Sequence, residues 1–332
     1  MPEKDQTSRN KIKSFLIRST WAGPSIALFL MILISSFLSP HFLTSRNISS
    51  VVRNLSFVGI VAMGQACMLL IGELDISVGA SSALAGVVAG ALMAWVEINP
   101  YLALAVAIFA GACFGFVNGL LVTKLKLNSL VVTLGMMGVY EGINLVITEG
   151  RAITGISPEI RFIGRAEYFD LIPMPFIIML IMMAFIVVLT QFTRFGRYMY
   201  AVGDSEEAAE ILGINVDRVK ILTFVICGVF AAVAGITMVA RLGSSQPGIG
   251  DAWLLDSIAA SVIGGVALTG GIGIPAGAII GAAIMGIIAN LIVLMGISTY
   301  WQSAVSGAVV ILAISIDSLR RSYKERQKLK EG

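Results

Sequence analysis

The sequence predicts an all-α integral membrane protein of about ten transmembrane helices, with broken or glycine-rich helix junctions and both chain ends in the cytoplasm. Three observations predict it. The residues are 57% hydrophobic and 13% charged, against roughly 25% charged in soluble domains, and the mean hydropathy is +0.90. Apolar runs approaching the ~20 residues needed to cross a bilayer recur almost from end to end. Lysine and arginine gather in two tails, as expected for segments held on the cytoplasmic side.

The elements follow in order. Residues 1–19 form a basic tail with Lys4, Arg9, Lys11, Lys13 and Arg18. A transmembrane domain fills 20–317, with spans near 20–40, 55–73, 76–96, 101–122, 127–147, 172–191, 220–241, 254–268, 275–295 and 301–317. Residues 318–332 form a second basic tail with Arg320, Arg321, Lys324, Arg326, Lys328 and Lys330. Two cytoplasmic tails require an even number of spans. Ten spans also put Lys124 and Lys126 inside and the Glu97–Pro100 turn, which has no Lys or Arg, outside. The 148–171 loop departs from the rule, since Arg151, Arg161 and Arg165 fall outside among Glu149, Glu159, Glu167 and Asp170. Residues 20–40 follow a basic tail as in a signal peptide, but no small-x-small cleavage pattern follows, so they read as an anchor helix. From Ser257 to Ile316 the chain has no charge, and the span breaks there rest on glycine, proline and polar residues.

Composition narrows the chemistry. Cys67, Cys113 and Cys227 sit singly in apolar runs and read as buried small side chains, not as a disulfide or metal site. His41 is the sole histidine, which excludes a histidine proton relay and a multi-histidine metal site. No metal, bound cofactor, catalytic cluster or nucleic-acid partner is expected; the surrounding medium is the lipid bilayer. "GACFGFVNG" (111–119) and "GAIIGAAIMG" (277–286) place small residues four apart, which lets helices pack closely in lipid.

The stretch "LIGELDISVGAS" (70–81) puts Glu73 and Asp75 between two uncharged runs. It reads as a tight turn or a helix broken inside the bilayer, of the kind that lines transport cavities. Asp75 can cap the next helix by accepting from the N–H of Ser77 or Val78, and Gly72 and Gly79 loosen the flanking backbone. Either a structural or gating role or direct contact with a hydroxylated solute fits these carboxylates. Glu73, Asp75 and Ser77 are therefore candidates for the solute path, with Asn118, Thr133, Glu141, Asn144, Asp256 and Asn290. Asn118 and Asn290 fit interhelical hydrogen bonds equally well. Asp256 closes a stretch, "QPGIGDAWLL" (246–255), that reads as a periplasmic loop. It can shape an outer mouth, dock a soluble partner or cap the eighth span. "GGVALTGGIGIPAG" (264–277) reads as a second flexible break; no lysine follows its glycines, so it does not cradle phosphate.

The largest cytoplasmic loop is "RFGRYMYAVGDSEEAAEILGINVDRVK" (194–220). Its centre predicts a helix of about two turns, capped by Asp204 or Ser205, with Glu206 and Glu207 at the positive end and Gly213 at the stop. Ala208, Ile211 and Leu212 give it an apolar side. So short a helix must dock, either on its own membrane domain or in a groove of a separate cytoplasmic protein.

The pattern Gly196-Arg197, Ala201-Val202-Gly203, Ala208-Ala209, Gly213-Ile214 resembles the coupling segment of ABC importer permeases of the monosaccharide (ribose-type) class, which includes autoinducer-2 importers. "GELDISVGA" resembles that family's Gly-Gly-Ile-Asp-Leu-Ser-Val-Gly signature. Residues 256–282 and 116–143 are similar to further family segments, so the resemblance spans about 50 to 315. It implies import of a monosaccharide or similar small hydroxylated solute by alternating access across the bacterial inner membrane. The implied partners are a second permease subunit, two cytoplasmic ATP-hydrolysing subunits and a periplasmic solute-binding protein. The implied coupling residues are Gly203, Asp204, Glu206, Glu207, Ala208, Ala209, Gly213 and Ile214, and contact with the ATPase becomes a third reading of Glu73 and Asp75. The chain has no G-x-x-x-x-G-K-[ST] phosphate loop, so ATP use is assigned to the partner. Glu73 stands where ribose-type members more often have Gly. The rival classes are a branched-chain amino-acid or nucleoside permease and a self-sufficient secondary transporter.

Overall fold

The computed structural model describes residues 22–169 and 171–315; the two basic tails and Asp170 lie outside it. Among the described residues, six helices are long and apolar enough to cross a membrane: α2 (Ser45–Leu70), α4 (Pro100–Lys124), α5 (Ser129–Thr148), α6 (Met174–Phe192), α9 (Val216–Leu242) and α11 (Pro275–Leu294). Four apolar helices are shorter: α1 (Ala22–Leu38), α3 (Val78–Ala94), α10 (Trp253–Ile263) and α12 (Trp301–Ser315). Between α6 and α9 lie two further helices, α7 (Arg194–Asp204) and α8 (Glu206–Ile211). Each apolar run marked in the sequence overlaps one of these apolar helices, although α2 begins at Ser45, ten residues before the run expected at 55–73. The run at 254–268 holds the shortest of them. Its helix has 11 residues, and at ~1.5 Å per residue it cannot cross a ~30 Å core alone.

Helix α9 is central, packed on α2, α3 and α4. Absent side chains set its distance from α4. A Cβ on Gly115 would lie 2.1 Å from the Phe224 carbonyl oxygen, and one on Gly228 would lie 2.2 Å from that of Gly111. The stripe in "GACFGFVNG" thus brings two backbones into contact, where dispersion between helices replaces equally apolar lipid. Gly281 does the same for α11 against Ala260 of α10. Helix starts are capped as their residue types dictate: Asn99 accepts from the N–H groups of Tyr101 and Leu102, and Asn128 accepts from that of Leu130.

At one end of the bundle, the upper end, meet residues 39–47, 148–169 and 241–245. Ser49 donates to Glu167 (2.7 Å), which also pairs with Arg53. Arg165 donates to the carbonyls of Arg241 (2.7 Å) and Leu242 (3.0 Å), the last of α9. One arginine that breaks the charge rule is thus committed to the negative end of a helix. These groups border an open cavity of about 440 Å³ lined by His41, Asn47, Ser49, Arg53, Glu167 and Arg241.

Asn290 lies away from any break. Its amide and that of Asn47 exchange two hydrogen bonds, 3.1 and 2.7 Å, tying α11 to the start of α2. Of the two sequence readings, this geometry fits the interhelical bond. Asn290→Leu is expected to destabilise by about 1 kcal/mol, and Asn47→Leu/Asn290→Leu together by little more, because the single variant already removes both bonds. Unfolding midpoints in detergent would check this.

Candidate functional site

The α2–α3 junction begins at Leu70. Gly72 (φ +76°) takes the left-handed conformation that ends a helix, and the Glu73 N–H returns to the Met68 carbonyl (3.0 Å). The chain then runs without helix to Val78, held by α5. Thr133 Oγ1 accepts from the Ile76 N–H (3.0 Å) and donates to the Ser129 carbonyl (2.7 Å), and the Ser129 hydroxyl accepts from the Leu74 N–H (3.4 Å).

Asp75 is buried and anchors a chain of hydrogen bonds. Its Oδ1 accepts from the Ser77 N–H (2.9 Å) and hydroxyl (2.6 Å), and the Ser77 hydroxyl accepts from Asn118 Nδ2 (2.9 Å). The Tyr140 hydroxyl lies 3.0 Å from both Asn118 Oδ1 and the Phe114 carbonyl, sharing its one proton between them. The break ahead of α3, α4 and α5 are thereby joined through buried polar groups that supply one another's partners. The Asp75 carboxylate closes a turn just ahead of α3, whose cap position is Ser77.

A second break follows α9. Sequence reading puts 246–255 in a surface loop, yet the chain turns back into the bundle. Ser245 donates to the Gly86 carbonyl (2.9 Å) and packs on Gly90, while Gly250 packs on Gly79. Those α3 contacts are 11 residues apart, so the segment descends about 16 Å along α3 before α10 begins. Its backbone groups are met by protein. Ser245 and Ile153 exchange two 2.9 Å bonds, and Asn144 Nδ2 donates to the Pro247 carbonyl (2.7 Å).

The third junction is at the lower end. The Gly271 N–H donates to the Leu70 carbonyl (2.9 Å), and a Cβ on Gly203 would lie 1.9 Å from that same oxygen. Tyr200 of α7 donates to the Gly273 carbonyl (2.8 Å) and accepts from Gln191 (3.0 Å). Burial raises the Tyr200 phenol above its ordinary range, opposed in part by the Gln191 bond, so the hydroxyl keeps its proton at neutral pH. The C-terminus of α2, the glycine-rich 264–277 segment and the α7–α8 corner therefore meet at one place. Lys220 of α9 adds a charged contact, lying 2.7 Å from both Glu73 Oε1 and Glu206 Oε1.

Residues 47–314 match the sequence model of a family described as branched-chain amino acid transport system / permease component. The chain belongs to this permease family. It is 40% identical over 298 residues to the ribose import permease protein RbsC of Bacillus subtilis (strain 168), covering 89% of this chain and 92% of that one. It is 38% identical over 302 residues to RbsC of Escherichia coli (strain K12), covering 89% and 93%. It is 30% identical over 305 residues to the autoinducer 2 import system permease protein LsrC of Photorhabdus laumondii, covering 91% and 90%. The permease is thus a multi-pass membrane protein and a transport component.

Within the permease, the structure gathers Asp75, Ser77, Asn118 and Thr133 at the first break and brings Asn144 to the re-entrant segment. Asp256 does not cap α10, whose cap position is Ala252, and being buried it presents nothing to a soluble partner. It accepts instead from the Ser306 hydroxyl of α12 (2.7 Å). Glu141 is exposed on a face of α5 where a Cβ on Gly135, Gly138 or Gly142 would meet no described residue. In the loop, the Ser205 hydroxyl caps α8 by accepting from the Ala208 N–H (3.2 Å), while Asp204 ends α7, a helix not expected from the sequence. Gly213 (φ +79°) closes α8, and the Ile214 N–H returns to the Ala209 carbonyl (3.0 Å). Ala209, not Ala208, is buried, while Glu207, Ile211 and Leu212 are exposed.

Sequence reasoning missed Lys220, Ser129, Tyr140 and Gln65. Gln65, in α2, is fully buried with neither amide atom hydrogen-bonded among the described residues. A polar residue inside an apolar run was the available signal for Tyr140 and Gln65.

Proposed function

We propose that the permease is the transmembrane subunit of an ATP-driven importer moving a monosaccharide or similar small hydroxylated solute from periplasm to cytoplasm by alternating access. The relatives' names supply the solute class, since two import ribose and one autoinducer 2. The α2–α3 break, held by buried carboxylate, hydroxyl and amide groups that bond one another, is of the kind that lines transport cavities. The unmatched Gln65 amide adds to this, because a buried polar group without a partner costs about 1–3 kcal/mol and is relieved by any ligand that bonds it.

In this reading the ten apolar helices are the ten crossings of the inner membrane. The descending 243–252 segment and α10 together make the eighth. Both tails and the 194–220 loop face the cytoplasm. The ATP is hydrolysed by two separate subunits, and a periplasmic binding protein delivers the solute. A second permease subunit stands against the open face of α5, since a carboxylate there is costly toward lipid and cheap toward protein or a water-filled path.

The observation that carries the coupling role is the tip of α8. This helix is anchored on the bundle through Ala209 while Ile211 and Leu212 remain 86% and 77% exposed. Paired exposed apolar residues beside Glu207 fit a groove on another protein. Ile211→Glu with Leu212→Glu is expected to leave a monodisperse permease that no longer co-purifies with its ATPase subunits and imports nothing. Undiminished co-purification would remove the assignment. The family description also names branched-chain amino acids. A screen of the companion binding protein against pentoses, hexoses, polyols, autoinducer 2 and leucine separates the two, and binding to leucine alone would overturn the sugar class.

A further inference from the structure

We propose that Lys220 is a positioning residue for transport, a charged tie that makes the α2–α3 break move with the α8 helix. The inference rests on the coupling role given to α8 above. Lys220 sits one turn into α9, with its ammonium 2.7 Å from Glu73 of the break and 2.7 Å from Glu206, the first residue of α8. Neither carboxylate has another salt bridge among the described residues. The Lys220 and Glu73 side chains are 12% and 11% exposed, whereas Glu206 is 50% exposed.

That asymmetry gives the tie its direction. The Lys220–Glu73 pair is shielded from water and is screened little by salt. The Lys220–Glu206 pair is half in solvent and is the weaker half of the triad. A pull on α8 therefore strains the outer contact first while Lys220 stays with the break. The backbone contacts beside it work by shape: the Gly203 backbone abuts the Leu70 carbonyl, which accepts from Gly271. They transmit a push, because overlapping atoms repel. They resist separation only weakly, since dispersion and two neutral hydrogen bonds, Gly271 to Leu70 and Tyr200 to Gly273, are all that is lost. The ionic triad supplies resistance to separation, so α8 and the break are linked in both directions of a cycle.

Charge balance sharpens this. The triad holds one cation and two anions. Without Lys220, the carboxylates at positions 73 and 206 stand unneutralised near one another, and their repulsion favours α8 moving apart from the break. Loss of the cation therefore does more than remove a contact.

The test uses the assembled importer, permease with its ATPase subunits, in proteoliposomes with the companion binding protein. Lys220→Met is expected to co-purify with the ATPase subunits and hydrolyse ATP, while solute imported per ATP falls about tenfold, within the range of a site-to-site coupling energy. Lys220→Arg is expected to keep most of the wild-type ratio. Lys220→Glu should be worse than Lys220→Met, and Glu73→Lys/Glu206→Lys/Lys220→Glu, which inverts every charge, should recover most of the ratio. A wild-type ratio in Lys220→Met overturns the proposal, as does loss of ATPase co-purification in that variant, which would make Lys220 a support for the docking site alone. If Lys220→Met fails to fold, the inverted variant decides: a folded assembly with no recovery also overturns it. The coupling role of α8 fails separately, through intact assembly of the Ile211→Glu/Leu212→Glu variant.

Discussion

Replacing Asp75 with leucine is expected to abolish solute uptake and to cost stability on the order of 3 kcal/mol. The carboxylate is the single acceptor for both the N–H and the hydroxyl of Ser77. Leucine fills much of the same space and accepts nothing, leaving two buried donors unmet at about 1–3 kcal/mol each. The damage also spreads along the chain of bonds. Once Ser77 turns to find another acceptor, Asn118 loses its partner, and the Tyr140 hydroxyl that lies against Asn118 is released in turn. Asp75→Asn keeps the Oδ1 acceptor and is expected to retain both the fold and most of the uptake. The unfolding midpoint in detergent and uptake of labelled solute in proteoliposomes measure the two effects. A stable Asp75→Leu variant would mean that the network does not hold the break. A stable but inactive Asp75→Asn variant would move the role of Asp75 from geometry to charge.

The ten apolar helices were legible because burial in lipid demands long uncharged runs, and that demand is written in composition alone. Helix α8 was legible for a different reason. Ser205, Glu206, Glu207 and Gly213 carry capping and stop chemistry that acts over a few residues and needs no partner. The re-entrant 243–252 segment was not legible. Hydropathy reads a Gly- and Ser-rich stretch as a surface loop, whereas the groups that satisfy its backbone, Ile153 and Asn144, come from distant parts of the sequence. Asp256 was misplaced for the same reason, since its partner Ser306 lies 50 residues away. Lys220 escaped notice because a lysine at the start of an apolar run reads as an interfacial anchor. Only the fold shows that a glutamate of the α2–α3 break and one of α8 converge on it.

Gly79→Ala and Gly250→Ala are each expected to destabilise the permease by about 1–3 kcal/mol and to cut uptake severely, although each adds one methyl group. The two glycines meet where the start of α3 and the descending segment touch. A Cβ on Gly79 would lie 2.5 Å from the Gly250 carbonyl oxygen, and one on Gly250 would lie 2.3 Å from that of Gly79. Both obstacles are backbone atoms, so no rotamer change relieves them; the segments must separate. Separation would lift 243–252 away from the bundle and strain the bonds from Asn144 to Pro247 and from Ser245 to Gly86. The double variant should be no better than either single one, because each methyl clashes with a carbonyl and not with the other methyl. Gly307→Ala in α12 is the control: a Cβ there meets no described atom, and alanine in place of glycine favours the helix. If Gly79→Ala and Gly250→Ala behaved like Gly307→Ala in unfolding and uptake, α3 and the descending segment would have room to part at no cost. Their contact would then have no part in the transport cycle, and the path would have to be sought elsewhere in the bundle, beginning at the unmatched amide of Gln65.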